Sequence, residues 1–385
     1  MPDPTTTVIL GGGIGGVSTA RTLRKRLGRE HRIVIVDRER GHVFAPSLLW
    51  LMVGRRTPGA ITRPLSRLGR QGIEVRTGEI EHVDPERRLV TVGGDVLAAD
   101  HLVITLGADL DAGSIPGLSG AGHNFYTLGG AQTLWDALQR FHAGRIVVLT
   151  AAPAYKCPAA PYEGAMLIDG WLRRQGLRGA VQIDLYAAEP APMGVAGPGV
   201  SGAVRQLLTA KGIAYHPEHQ VTAVDAGQKR LMFSNGAHAD FDLLAYVPPH
   251  RAPAVIRDSG MAGETGWMSV DRHTLETRWP RVYAIGDVVA IPLKLGKPLP
   301  KAGVFAHREG EVVAHNIARA ITGTGKPAQF NGYGECFIET GDGRAGFGAG
   351  DFYAEPTPTI TLRGPGRRWH WGKVWFEKAW LYTQF

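Results

Sequence analysis

The sequence predicts an α/β fold with two parallel-sheet units, and three observations support this class. The chain has 385 residues, a length that suggests two domains of about 100–200 residues each. Its 52 glycines form no repeat, and frequent glycine is typical of folds with many tight turns. A short apolar run, a glycine-rich loop and an amphipathic segment follow one another over residues 7–27. This order predicts a strand, a turn and a helix that open the first unit.

The glycine-rich loop connects a predicted buried strand at residues 7–10 to a predicted helix at residues 17–27. In a dinucleotide-binding loop, Gly11 would permit the tight turn, Gly13 the close approach of a pyrophosphate, and Gly16 the close packing of the helix. A second predicted strand ends in Asp37, about 20 residues further on, where an acid should meet ribose hydroxyls. Because all these parts occur in order, the segment predicts a Rossmann-like dinucleotide site.

Two later segments resemble motifs of the glutathione-reductase-like flavoproteins. Residues 281–287 read as a short strand that ends in Gly286 and Asp287. They resemble the second FAD motif of that family, in which the acid holds the ribityl chain. Residues 100–107, which end in Gly107, resemble the family's intermediate strand. Three ordered motifs imply FAD rather than NAD.

The resemblance implies an interleaved layout of domains. It places an FAD-binding domain at residues 1–110 and 265–325, a second Rossmann-like domain at residues 111–264, and a C-terminal segment at residues 326–385. A strand at residues 145–150 should open the second domain, yet residues 151–158 contain no glycine. A formal GxGxxG pattern at residues 197–202 does not follow its strand directly and contains a proline. We therefore expect a degenerate NAD site.

The chain contains only two cysteines, Cys157 and Cys336, which excludes a disulfide scaffold. They are either two inert core thiols or one redox pair brought together by the fold. Cys157 follows Lys156 and should lie near the start of a helix, and both features lower the pKa of a thiol. Glu163 would accept a proton if its carboxylate points back to Cys157. The glycine-flanked segment around Cys336 carries little signal by itself.

The chain resembles the sulfide:quinone oxidoreductases and the flavoprotein subunit of flavocytochrome c sulfide dehydrogenase. The matching segments are residues 42–50, 155–158, 161–163, 286–287, 299–307, 332–336 and 376–381. The resemblance implies that Cys157 and Cys336 form a redox pair on one face of the flavin. Sulfide would attack their disulfide, or a sulfur-bridged form of it, and two electrons would pass to FAD. Lys301 matches a lysine near the flavin pyrimidine edge; the alternative is a solvated surface lysine.

The same resemblance implies non-covalent FAD. Its predicted contacts are Gly11, Gly13, Gly16, Asp37, Arg38, Pro46, Gly107, Gly286, Asp287, Lys301 and Gly303. Residues 44–46 stand where the cytochrome-linked relatives carry a flavin-linking cysteine, so a covalent link is excluded at that position. Many sulfide:quinone oxidoreductases carry a third cysteine where this chain has residues 107–111 without one, which leaves the form of the sulfur product open. No metal site is predicted.

The C-terminal tail combines aromatic and basic residues, and four of the nine tryptophans lie in its last 17 positions. Tryptophan favours the membrane–water interface, and cations favour anionic headgroups. We expect a monotopic attachment that lets quinone reach the flavin face opposite the cysteines, with Phe347, Phe352 and Trp380 as neighbours. The alternative is a tail packed on the protein or on another subunit.

The formal net charge is +8, with scattered basic residues, and we expect no nucleic-acid partner. No signal-peptide pattern and no apolar run of about 18 residues occur. We therefore expect a cytoplasmic protein, peripheral on the inner membrane, and we leave a homo-oligomer open. The alternative functions are a sulfide dehydrogenase that reduces a cytochrome, a type II NADH:quinone dehydrogenase-like enzyme, and a non-enzymatic flavin redox sensor.

Overall fold

The computed structural model describes residues 3–385. Its strands are β1 (Thr6–Leu10), β2 (Arg32–Asp37), β3 (Gly41–Val43), β4 (Thr62–Pro64), β5 (Glu74–Thr77), β6 (Ile80–Asp84), β7 (Leu89–Val92), β8 (Asp95–Ala98), β9 (His101–Ile104), β10 (Asp109–Leu110), β11 (His123–Asn124), β12 (Gly144–Thr150), β13 (Val181–Ala187), β14 (Ala214–His216), β15 (Val221–Asp225), β16 (Arg230–Phe233), β17 (His238–Asp240), β18 (Leu243–Val247), β19 (His250–Arg251), β20 (Val282–Ala284), β21 (Tyr333–Glu339), β22 (Ala345–Asp351) and β23 (Thr359–Gly366). Its α-helices are α1 (Ile14–Arg26), α2 (Leu48–Leu51), α3 (Pro58–Ile61), α4 (Leu118–Ala121), α5 (Leu128–Leu138), α6 (Ala160–Arg174), α7 (Pro198–Ala210), α8 (Ala254–Asp258), α9 (Gly303–Thr322) and α10 (Arg367–Thr383).

The first parallel sheet has the strand order β20-β9-β1-β2-β5. Its inner strands are continuous apolar runs, such as Val8, Ile9 and Leu10, which are fully buried. This pattern is typical of parallel strands that are covered on both faces. Helix α1 packs against α9 behind the glycine-rich loop, where a Cβ on Gly310 would lie 2.9 Å from the Gly15 carbonyl oxygen. The glycine thus lets the two helices approach closely.

The second parallel sheet has the strand order β11-β18-β12-β13-β14. The chain enters and leaves this unit through β10 and β19, which pair with each other in antiparallel fashion. The strands expected at residues 145–150 and 182–186 are β12 and β13. Two parallel sheets of this kind confirm the predicted fold class. The domain bounds stay predictions, although β20 does join the first sheet after the second unit is complete.

Three three-stranded antiparallel sheets, in the orders β6-β7-β8, β15-β16-β17 and β21-β22-β23, and the antiparallel pair β3-β4 complete the structure. The sheet β21-β22-β23 carries Cys336 on β21 and leads into α10. Helix α10 returns to the first unit, where Trp380 and Leu381 are buried in its core. Among residues 3–385, no helix combines the length and apolarity needed to cross a membrane.

Candidate active site

The carboxyl ends of the first sheet open onto a cavity of about 580 Å³, which we call the dinucleotide cavity. Nearly all the predicted FAD contacts line it, namely Gly11, Gly13, Asp37, Arg38, Pro46, Gly107, Gly286, Asp287, Lys301 and Gly303. Gly16 lies behind the loop instead, where a Cβ would collide with the carbonyl oxygen of Gly11. The fold therefore brings the predicted residues to one place, and what each of them binds stays a prediction.

The loop of the dinucleotide cavity fits a pyrophosphate and a ribose. Gly11 has φ of +103°, a left-handed conformation that favours glycine. Gly13 precedes α1, and a Cβ there would meet no protein atom within 4 Å, so the backbone at the helix start is open to a ligand. Asp37 accepts hydrogen bonds from the Gly12 N–H at 2.6 Å and from the Glu39 N–H at 2.7 Å. These bonds fix its carboxylate at the cavity wall.

Lys301 is a buried residue at the far end of the same cavity, so the alternative of a solvated lysine is wrong. Its Nζ donates to the carbonyl oxygens of Asp287 and Val289, both at 2.7 Å. The ammonium also lies 3.5 Å from the centre of the Trp267 ring. Burial lowers the pKa of Lys301 to about 8. At neutral pH the side chain therefore still carries a positive charge at this wall.

Cys157 lies between two cavities. It lines the dinucleotide cavity and also a largely apolar cavity of about 440 Å³, which we call the cysteine cavity because Cys336 lines it too. Both cysteines are free thiols. The Cys157 N–H donates to the Lys301 carbonyl at 2.6 Å, and the Tyr126 hydroxyl donates to the Cys157 carbonyl at 3.2 Å. These bonds hold Cys157 at φ of +50°, an uncommon backbone conformation for a residue with a side chain.

The expected lowering of the Cys157 pKa is wrong for this arrangement. Burial, followed by Cys336 and Glu163, raises the pKa of Cys157 well above its ordinary value. Burial, followed by Glu163, raises the pKa of Cys336 to about 12. Each residue keeps some surface toward its cavity, but dense packing excludes most solvent. Helix α6 begins at Ala160, three residues after the cysteine, so Cys157 does lie near the start of a helix, as expected.

Glu163 lies near both thiols, and one of its two carboxylate oxygens is already bonded. It is buried, and its Oε1 accepts hydrogen bonds from the Lys373 ammonium at 2.7 Å and from the Glu339 N–H at 2.9 Å. Burial raises the pKa of Glu163. Its role as a proton acceptor stays a prediction. The sequence did not single out Lys373, because a lysine in a tryptophan-rich helix cannot be distinguished there from a solvated surface lysine.

A carboxylate with three hydroxyl donors lies at the wall of the cysteine cavity, beyond β12 and β13. Glu189 accepts hydrogen bonds from Tyr155, from Tyr162 at 2.9 Å and from Thr150 at 3.1 Å. These side chains occupy the edge of the second sheet where a nucleotide-binding domain would hold its ligand. The GxGxxG pattern at residues 197–202 proves to be the start of α7. Both observations agree with the expected loss of an NAD site.

The C-terminal helix has both buried and exposed aromatic residues, and its attachment to a membrane stays a prediction. Trp380 is buried, and its Nε1 donates to His42 Nε2 at 3.0 Å. Trp371, Trp375 and Tyr382 are 65%, 72% and 74% exposed. One face of α10 therefore packs on the protein, and the other face is open.

The three expected quinone neighbours do not form one site. Phe352 lines the cysteine cavity, which is the side that we expected quinone to avoid. Phe347 instead stacks on Trp369, with ring centres 4.7 Å apart. Trp380 lies against His42, whose Nδ1 is 2.9 Å from the Gly12 carbonyl oxygen. Contact of these three rings with quinone stays a prediction.

Residues 5–310 match the pyridine nucleotide-disulphide oxidoreductase family. The chain belongs to this family. It is 25% identical over 372 residues to the mitochondrial sulfide:quinone oxidoreductase of Mus musculus, covering 92% of this chain and 79% of the relative. It is 28% identical over 401 residues to the sulfide-quinone reductase of Aquifex aeolicus, covering 97% and 90%.

The crystal structure of the sulfide:quinone oxidoreductase from Aquifex aeolicus superposes with a TM-score of 0.89 at 25% identity, over 99% of this chain and 91% of that one. The demethylphylloquinone reductase NdbB of Synechocystis is 27% identical over 372 residues, covering 92% and 89%. These findings confirm the resemblance expected from the motifs. They also establish the chain as an oxidoreductase of this fold.

Proposed function

We propose that the chain is an FAD-dependent sulfide:quinone oxidoreductase. It would oxidise sulfide to sulfur or polysulfide through Cys157 and Cys336, and the electrons would pass to a membrane quinone. The observation that carries this proposal is the position of Cys157, which lines both the dinucleotide cavity and the cysteine cavity. A thiol in that position would contact a sulfur substrate on one side and a flavin on the other. The similarity to the sulfide:quinone oxidoreductases supports the same choice.

The residues of the dinucleotide cavity fit non-covalent FAD. Gly11 and Gly13 would admit its pyrophosphate, Asp37 would bind a ribose, and Lys301 would provide positive charge at the far end. Bound FAD would accept two electrons and release them to quinone. A positive charge beside the flavin favours the reduced, more negative form. Lys301 would therefore ease electron transfer from the thiols.

In the cysteine cavity, the chain would provide the attacked sulfur and exclude water. Sulfide sulfur would bond to one cysteine of an oxidised Cys157–Cys336 pair as the disulfide breaks, and the other cysteine would leave as a thiolate. The proton that sulfide releases would go to Glu163, which is buried beside both thiols. The mostly apolar walls, which include Pro158, Met193 and Phe352, would hold an uncharged sulfur product more readily than an ion.

The open face of α10 fits a membrane surface. Trp371, Trp375 and Tyr382 are exposed on a helix that begins with Arg367 and Arg368. Aromatic rings and cations together favour an interface with anionic lipid. We propose a peripheral, monotopic attachment at the cytoplasmic face of the inner membrane, from which quinone would reach the flavin. Packing against another subunit would use the same surface. A vesicle-binding assay distinguishes these two possibilities.

An NADH:quinone reductase is the main rival, because one of the similar proteins is an alternative NAD(P)H-ubiquinone oxidoreductase of Arabidopsis thaliana. That activity would need a nucleotide site in the second unit. There, Glu189 is bonded to two tyrosines and residues 151–157 contain no glycine. These contacts favour a sulfur substrate over NADH.

An anaerobic titration of the bound flavin tests the proposal. We expect sulfide to bleach the flavin absorbance, NADH to leave it unchanged, and a soluble quinone to restore it. Cys157→Ser and Cys336→Ser should abolish bleaching while keeping the bound flavin, which the absorbance of the untreated variant reports. Bleaching by NADH alone would assign the chain to the NADH dehydrogenases. If sulfide bleaches the flavin and only a cytochrome restores its absorbance, the proposed cysteine chemistry holds. The electron acceptor is then a cytochrome instead of quinone.

A further inference from the structure

Helix α10 is fastened to the protein by polar side chains along one of its faces. This anchor face consists of His370, Lys373, Glu377 and Trp380, at the three- and four-residue spacing of one helical face. Its bonds are His370 Nδ1 to Glu339 Oε1 at 2.8 Å, Lys373 Nζ to Glu163 Oε1 at 2.7 Å, Arg56 to Glu377 Oε2 at 2.8 Å, Ser47 to Glu377 Oε1 at 2.7 Å, and Trp380 to His42 at 3.0 Å. The exposed Trp371, Trp375 and Tyr382 form the opposite, aromatic face.

Two bonds of the anchor face end close to the cysteines along the chain. Glu163, the partner of Lys373, lies in the first turn of α6, just after Cys157. Glu339, the partner of His370, ends the strand β21 that contains Cys336. The Glu339 N–H also donates to Glu163 Oε1 at 2.9 Å. One carboxylate thus joins α6, β21 and α10 behind the thiol pair.

Titratable groups on four parts of the chain influence the Cys157 thiol. Glu163 on α6 and Asp287 after β20 disfavour the thiolate of Cys157, and Cys336 on β21 does so too. Lys373 on α10 favours the thiolate of both cysteines. Lys301 instead turns its ammonium to backbone carbonyls.

We propose that Lys373 is a positioning residue of the cysteine pair, which holds the Glu163 carboxylate in place and supplies the positive charge that favours the thiolates of Cys157 and Cys336. The functional meaning of this proposal rests on the redox role of the cysteines proposed above. Because the ammonium is buried and bonded to Glu163, its charge acts through a medium of low dielectric constant. The helix with the exposed aromatic face therefore also sets the reactivity of the thiols. If the Lys373–Glu163 pair were purely structural, it would hold α10 in place without changing the reactivity of the thiols.

The test measures thiol reactivity in the reduced, full-length holoprotein without sulfide or quinone. The rate of alkylation by iodoacetamide is followed at each cysteine by mass spectrometry, over a range of pH. Because only the thiolate reacts, a pKa increase of one unit slows alkylation about tenfold at any pH below the pKa. The single variant Lys373→Met is unsuitable, because the unpaired Glu163 would take up a proton and the two changes would oppose each other.

The comparison is therefore made in a Glu163→Gln background. Glu163→Gln alone removes a negative charge and should speed alkylation of both cysteines. Adding Lys373→Met should slow it again, by about tenfold relative to Glu163→Gln. Adding Lys373→Arg, which keeps the charge, should leave the rate near that of Glu163→Gln. Lys378→Met is the matched control, since Lys378 lies on the same helix with a 46% exposed side chain, and it should change nothing.

Equal alkylation rates for Glu163→Gln with and without Lys373→Met would overturn the proposal. Lys373 would then only hold α10 in place. If the double variant loses its folded circular dichroism, Lys373→Gln replaces Lys373→Met, because it keeps a hydrogen-bond donor without the charge. Failure of sulfide to bleach the flavin, with the predicted alkylation rates intact, would reject the proposed function and leave the assignment of Lys373 standing.

Discussion

The two parallel sheets share the arrangement of four strands but differ at their carboxyl ends. After β1 the chain forms a loop with Gly11 and Gly13 at an open cavity, and Asp37, the acid that ends β2, lines that cavity. After β12 the corresponding loop has no glycine and contains Cys157, and the acid that follows β13, Glu189, is bonded to tyrosines. The same scaffold thus presents a dinucleotide site at one edge and a thiol with an apolar cavity at the other. Short loops, rather than the sheets, decide which chemistry each edge supports.

The largest expected effect is loss of the flavin from the first edge. A Cβ at Gly16 would collide with the Gly11 carbonyl oxygen, so Gly16→Ala should displace the loop and leave protein without flavin after gel filtration. Gly202 has the same place in the second GxGxxG pattern, but its Cβ would meet no atom within 4 Å. Gly202→Ala should keep all its flavin. Equal flavin content in the two variants would contradict the difference between the edges.

A second prediction concerns pH and the charge at Lys301. Since burial lowers the pKa of Lys301 to about 8, its positive charge is present below that pH and lost above it. The charge favours reduced flavin, so the midpoint potential of the bound flavin should fall more steeply as pH rises through about 8. Lys301→Met should lower the potential at neutral pH and remove this extra slope. Lys297→Met, at an exposed lysine nearby, should behave like the unaltered protein; an unchanged slope in Lys301→Met would assign the titration elsewhere.

Much of the dinucleotide cavity could be predicted from sequence, because the motifs that form it consist of residues close together in the chain. The loop glycines must stand at set spacings next to a strand and a helix, and these spacings are visible in the chain. The pKa of Cys157 could not be predicted in this way. It depends on burial and on Glu163, Cys336 and Lys373, two of which come from distant parts of the chain. Local helix and charge rules gave the wrong direction, because tertiary packing outweighed them.

The packing of the C-terminal tail also could be predicted only in part. Its composition predicted an interfacial helix, and an exposed aromatic face is present on α10. Sequence periodicity could not show that Trp380 turns inward to His42, because that orientation depends on polar partners from residues 42–56 and on Glu163. Because Lys373 and Glu377 are buried, the face of α10 that packs on the protein looks polar in the sequence.

A third prediction tests the hydroxyl cluster at the second edge. The Tyr162 hydroxyl donates to Glu189, so Tyr162→Phe should lower the free energy of unfolding by about 1–2 kcal/mol in denaturant titrations. Tyr215 provides a matched control, because its buried hydroxyl has no hydrogen-bond partner among the described residues. Tyr215→Phe should be neutral or stabilising. If both variants lose the same stability, the bonds to Glu189 do not hold this edge together.

The smallest effect on the protein itself is expected at the aromatic face of α10. Trp371 and Trp375 are 65% and 72% exposed, so Trp371→Ser with Trp375→Ser should change the free energy of unfolding by no more than about 0.5 kcal/mol per site. The double variant should nevertheless lose binding to vesicles of anionic and neutral phospholipid in a sedimentation assay, because each indole contributes apolar contact with the interface. Val96→Ser, at an exposed apolar residue of β8, is the control and should bind like the unaltered chain. Unchanged vesicle binding, with a shift to a smaller species in analytical ultracentrifugation, would mean that the aromatic face meets another subunit instead of lipid.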